Sequence, residues 1–284
     1  MKSRNAWILA FALMATLGLI VVLPSTPVFS AASTIVVTPT NQQGWSTADT
    51  RPGGDVNFVV DASAPAGNGA LQLTTDATTA AKAQYLHAAN TPLANVTELS
   101  FYTRQVSGPV FADPSYQLPV CLGGFTTPPT PANPSGCTGF TTFVFEPYQN
   151  NGTGTPSPVI VPNIWQQWDV DAGQFWSSRN YSSGTCTVVA GAGGPPFYSL
   201  AILKTICPGA VVVGFGVNIG TFNPSYDVYT DLVNFNGTTY DFEPFEVATS
   251  KEQCKNGGYN NVKRADGSPF KNQGDCIQYT NTGK

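Results

Sequence analysis

Charged side chains make up only 11% of this 284-residue chain, and it has a single histidine, His87. So little charge argues against helices laced with surface ion pairs. One histidine and no Cys-x2-Cys spacing leave a zinc site short of ligands. No Gly-x-Ser-x-Gly elbow occurs, so a Ser/His/Asp set would have to recruit His87 from the run Tyr85-Leu86-His87-Ala88-Ala89. A packed or surface histidine is the simpler reading. Basic residues are scarcest in the body, where residues 31–246 hold five Lys/Arg against fourteen Asp/Glu. That balance argues against nucleic acid, which needs a basic footprint.

What is present points to export. Lys2 and Arg4 precede an apolar run from Trp7 to Leu23, then Pro24 and Val28-Phe29-Ser30 before Ala31. This order reads as a signal peptide over 1–30, with an uncleaved anchor as the competing reading. All six cysteines (Cys121, Cys137, Cys186, Cys207, Cys254, Cys276) follow it, an even number suited to an oxidising compartment. Fifteen pairings are formally open. The pairs 121–137, 186–207 and 254–276 are expected, because each brackets one Gly/Pro-rich excursion. The expected location is extracellular, secreted or attached to the cell surface, with no membrane span once the leader is removed.

Gly (28) and Pro (23) are abundant, and short apolar stretches recur between turn signals. The pattern is that of an all-β fold. Strands are expected near 34–38, 55–61, 69–75, 97–106, 115–122, 140–147, 164–171, 211–219, 227–235 and 238–247. In the fifth, Tyr116, Leu118, Val120 and Leu122 alternate with Ser115, Gln117 and Pro119. Gly214 and Gly216 share one side of their strand and predict a bulge or a close backbone approach. Asn236-Gly237 predicts a type I′ hairpin. It would collect Val233, Phe235, Tyr240 and Phe242 on a core face and Asn234, Thr239, Asp241 and Glu243 on a wet one. One short helix is expected over 199–207, with Leu200, Leu203 and Ile206 on one side and Pro208-Gly209 ending it. The expected domains are the leader 1–30, a β-sandwich over 31–246 and a small, basic, disulfide-clamped β module over 247–284. In that last piece Lys-Asn-x-Gly occurs twice, at 255–258 and 271–274, which predicts two similar turns clamped by Cys254–Cys276.

Candidate chemistry gathers on Ile164–Asp171. Asp169 and Asp171 would point to one face, roughly 7 Å apart, beside Trp165 and Gln167, with Trp168 and Val170 turned to the core. Glycoside hydrolysis needs two carboxylates at such spacing, with Glu146 as a further candidate. A solvated face is the plainer account. No cofactor is expected; a structural calcium ion, with Asp227 or Asp231 adding ligands, is the open alternative. Trp165, Trp176 and Tyr148 offer flat faces for sugar rings, and Gln167 and Asp171 offer groups for hydroxyls.

The tail Lys251-Glu252-Gln253-Cys254-Lys255-Asn256-Gly257-Gly258 and Phe270-Lys271-Asn272-Gln273-Gly274-Asp275-Cys276 resembles that of a group of uncharacterised secreted bacterial proteins. Tyr259 stands where that group usually has Trp. The body is similar to theirs at Ile164–Asp169, Gly214–Gly220 and Tyr240–Pro244. The resemblance implies an extracellular jelly-roll or concanavalin-like sandwich and carries no activity with it. The reading is therefore a non-catalytic binding module with glycan or cell-wall polymer as the leading ligand class. A carbohydrate-active hydrolase using Asp169, Asp171 or Glu146 and a purely structural envelope component are the alternatives.

Overall fold

The computed structural model describes residues 33–131, 134–150 and 160–284. The expected leader and most of the 150–163 loop lie outside the described residues. In chain order the strands are β1 (Ser33–Val37), β2 (Trp45–Ser46), β3 (Gly54–Val60), β4 (Gly69–Thr75), β5 (Lys82–Pro92), β6 (Leu99–Ser107), β7 (Ser115–Cys121), β8 (Phe140–Phe145) and β9 (Gln166–Asp169). They continue with β10 (Gln174–Ser177), β11 (Tyr181–Ser183), β12 (Cys186–Val188), β13 (Tyr198–Ser199), β14 (Val211–Gly220), β15 (Asp227–Phe235), β16 (Thr238–Phe242), β17 (Glu246–Val247) and β18 (Val262–Lys263). Among the described residues the α-helices are α1 (Leu200–Ile206), α2 (Lys251–Cys254) and α3 (Gln273–Thr282). Among the described residues, no helix is long and apolar enough to cross a membrane.

Two seven-stranded sheets form a sandwich of the jelly-roll type. Sheet one runs β1-β16-β15-β4-β3, with β6 paired to β15 and β9 to β6. Sheet two runs β13-β10-β8-β7-β14-β5-β2. Alternation explains the filling between them. Tyr116, Leu118 and Val120 of β7 are fully buried, as are Leu71 and Leu73 of β4 and Phe143 of β8. Each such side chain contributes roughly 1.5–3 kcal/mol by leaving water. Trp45 stacks on Tyr85 at 5.3 Å, and Phe215 of sheet two stacks on Phe235 of sheet one at 4.4 Å. The Tyr116 hydroxyl donates to the Asn234 carbonyl across the core, 2.8 Å.

The hairpin has the expected register, Phe235 opposite Thr238 and Val233 opposite Tyr240, with positive φ at Asn236 and Gly237. Its apolar face joins the core. Its polar face is not wet, however: Asn234, Asp241 and Glu243 are all buried. The chain between β3 and β4 folds over it, and the Asn68 N–H donates to Glu243 at 2.8 Å. Gly67, at φ 60°, permits this approach, since a Cβ there would lie 1.4 Å from a Glu243 oxygen.

The helix α1 lies where the spacing puts it, capped by the Ser199 hydroxyl, with Leu200 and Leu203 buried. The three expected disulfides are formed, with Cα–Cα separations of 5.3, 4.5 and 5.7 Å in chain order. The tail departs from the expected β module. It is mainly helical, and only the two-residue pair β17·β18 is strand. Its two Lys-Asn-x-Gly copies also differ. Asn256 and Gly257 adopt positive φ just after α2, whereas Asn272 caps α3 by accepting from the Asp275 N–H. The difference follows from what comes next: a second Gly in one copy, Asp at the third helical position in the other. Ala248, Cys254, Val262, Phe270 and Cys276 form a small core separate from that of the sandwich.

Candidate functional site

The expected ligand-binding residues divide between the two sheets. Trp165, Gln167 and Asp171 lie on sheet one. The Trp165 indole donates to Asp61 at 3.2 Å, and Asp61 also accepts from Arg104 at 2.6 Å. Gln167 accepts from the Tyr102 hydroxyl at 2.9 Å, and Asp171 accepts from the Leu99 N–H at 2.9 Å. Gln167, Asp169 and Asp171 do border one hollow, beside Glu98. Burial, reinforced by the charge of Asp169, raises the Asp171 carboxyl. Trp168 and Val170 turn inward, and the Trp168 indole donates to Thr103.

Trp176 and Tyr148 belong to sheet two, with Glu146. They border a groove of about 830 Å³ on the outward face of that sheet, within the usual size range for ligand sites. The pairing register builds its floor. Trp176, Val144, Gln117, Gly216 and Leu86 form one row across β10, β8, β7, β14 and β5. Each of these residues alternates with core side chains on its strand. Gly214 and Gly216 fulfil both sequence expectations: β14 carries a register shift there, and a Cβ on Gly216 would lie 2.2 Å from the Tyr85 carbonyl oxygen. No side chain therefore rises at Gly216, whereas the Pro131 ring packs over Gly214, 2.3 Å from where a Cβ would stand. Gln84, Gln117 and Asn218 add amides to the lining, and Phe111 and Phe222 are exposed aromatics on it.

Glu146 sits among the groove's aromatics. Burial pushes its carboxyl up to about 7, and Tyr148 and Trp176 pull it partly back. Neither neighbour meets hydrogen-bond geometry, so Glu146 Oε2 and Trp176 Nε1 remain buried without partners. At the β5 edge, burial lowers the Lys82 ammonium while Asp49, its ion-pair partner, works against that shift.

Of the hydrolase candidates, Asp169 and Asp171 do lie together at one hollow, but Glu146 does not join them. Asp169 and Asp171 are on sheet one, while Glu146 is in the groove of sheet two. The other groove carboxylate, Asp49, is tied to Lys82 of β5. β5 lies three inter-strand steps from β8, roughly 14 Å, against about 5–10 Å for glycoside hydrolysis. Nor do the candidate calcium ligands gather. Asp227 accepts from Gln72, and Asp231 is buried against Asp241 and Glu243. Among the described residues, no group of three His, Cys, Asp or Glu side chains is placed to hold a metal ion. His87 has both ring nitrogens against backbone carbonyls, of Ala88 and Gln43.

Sequence reasoning missed most of this groove. Lys82, Gln84 and Leu86 lie on β5, a strand absent from the expected set. Gln117 was within reach, since the alternation of β7 already put it opposite the core side.

No protein-family model matches the chain, and no curated protein matches it. Solved structures similar to it include a family 11 carbohydrate-binding module of the cellulosomal cellulase Lic26A-Cel5E of Clostridium thermocellum. That match has 10% identity and a TM-score of 0.37, over 68% of this chain and 86% of the other. Another is a family 11 module from Clostridium thermocellum in complex with a β-1,3-1,4-mixed-linked tetrasaccharide. It has 11% identity and a TM-score of 0.37, over 71% of this chain and 91% of the other.

Proposed function

We propose that this protein is an exported, non-catalytic glycan-binding module whose site is the groove on sheet two, with residues 247–284 as an appended piece. The observation that carries the reading is the groove's composition. A floor that carries no side chain at Gly216, with Pro131 packed over Gly214, is flanked by Trp176 and Tyr148 and by the amides of Gln84, Gln117 and Asn218. Aromatic faces suit the C–H surfaces of sugar rings, and amides both donate to and accept from hydroxyls. The distance between its two carboxylates disfavours hydrolysis. Six cysteines in three disulfides favour an oxidising, extracellular setting.

The test is affinity electrophoresis against a polysaccharide panel, with melting temperatures measured alongside. Trp176→Ala is expected to weaken retardation by roughly tenfold or more, and Trp165→Ala, on the opposite face, to leave it unchanged. Loss on Trp165→Ala alone would move the site to sheet one. Release of reducing ends would restore the hydrolase reading.

A further inference from the structure

We propose that the groove takes an anionic polysaccharide, one that carries negative charge along its length. This deepens the glycan-binding reading and rests on it. The body is strongly acidic, yet three of its five basic residues, Arg51, Lys82 and Arg179, border this one groove. The other two are committed elsewhere: Arg104 pairs with Asp61, and Lys204 donates to the Val96 carbonyl. Within the groove, Asp49 offsets Lys82 alone. Arg51 and Arg179 are exposed, and neither has a carboxylate partner among the described residues.

The placement of these cations favours a chain over a small anion. Arg51 bridges to Lys82 at one end of β5. Arg179 follows β10, four inter-strand steps away, roughly 19 Å across the sheet. Along the strands they lie in opposite directions from the Trp176–Leu86 row, so the charges occupy diagonal corners. A single carboxylate reaches one corner; a polymer with repeated charges crosses the floor and meets both. The Arg179 guanidinium lies over the Phe140 ring at 5.2 Å, which limits its motion and leaves its fork free for a carboxylate or sulfate. The acidic remainder of the body repels a polyanion, which leaves the groove as its landing place on the sandwich; the basic tail is the competing one, and the tail variant Lys251→Gln tests it.

The experiment measures affinity at low and high salt for three groups of polymer. They are neutral glycans (mixed-linkage glucan, xylan, mannan), acidic glycans (polygalacturonate, alginate, chondroitin sulfate) and a single-stranded nucleic acid. The full chain is compared with Arg51→Gln/Arg179→Gln and with the tail variant Lys251→Gln. Both altered arginines are exposed, and unchanged melting would show that the fold is kept. The expected result is preference for an acidic glycan, weakened by salt and by about tenfold in the double variant, with Lys251→Gln unaffected. Carboxylated and sulfated polymers separate the source of the charge, and preference for either supports the proposal. Neutral glycans bound as well as acidic ones, with the double variant unaffected, would overturn it and leave the glycan reading standing. Nucleic acid bound as tightly as the acidic glycans would also overturn it. If no polysaccharide binds, the glycan reading itself falls.

Discussion

Glu146 and Glu243 each follow a core phenylalanine and precede a proline, and burial raises both carboxyls to about 7. Asp113 is raised to about 7 and Asp231 to about 8, again by burial. These four acids hold protons in the folded state at pH values where an unfolded chain has released them. Their stabilising contribution is full below the unfolded values near 4, and it is lost as pH rises through 7 to 8. Asp61, Asp76 and Asp275 are shifted down, the first by Ser63 and Arg104 against its burial, the second by Thr78 and the third by Lys271 and Arg264. Their contribution is present above about pH 4 and lost below it. The melting temperature is therefore expected to peak at mildly acidic pH and to fall between pH 5 and pH 8.5. One linked proton accounts for about 1.4 kcal/mol per pH unit. Calorimetry across that range checks this, and a melting temperature that climbs steadily to pH 8.5 would contradict it.

At the scale of elements, legibility followed the strength of local pattern. The Asn236-Gly237 hairpin was readable because turn chemistry, register and polarity agree there. The structure adds that Asn236 accepts from the Thr97 N–H and donates to the Asn95 carbonyl. Asn236→Ala is therefore expected to cost roughly 1–2 kcal/mol in chemical denaturation; an unchanged midpoint would mean that neither turn nor contacts matter. β5 was not readable. Its centre, Tyr85-Leu86-His87-Ala88-Ala89, lacks β-branched residues and carries no turn signal, and its strand state comes from pairing with β14 and β2. In the tail, the repeated Lys-Asn-x-Gly hid a helix start, because Asn272 reads equally as a turn residue and as a cap. Replacing Cys254 and Cys276 together with Ala is expected to remove about 3 kcal/mol from the tail. Limited proteolysis should then cut within 247–284 first; cleavage in the sandwich at the same rate would show that the disulfide acts elsewhere.

At the scale of the whole molecule, the sandwich was legible and its working face was not. The alternation along the strands says which side chains leave the core, but sheet pairing decides which of the two outer faces each one joins. Trp165 and Trp176 are only eleven positions apart, and they end on opposite sheets. The groove arises from non-local pairing, which brings Gln84, Gln117 and Asn218 into one lining with Trp176 from four strands. The most direct measurement is backbone hydrogen exchange of the full chain with and without a saturating bound polysaccharide. Slowed exchange confined to β5, β7, β8, β10 and β14 and the loops above them is the predicted result. Protection of β6, β9 and β15 instead, with sheet two unchanged, would contradict the account.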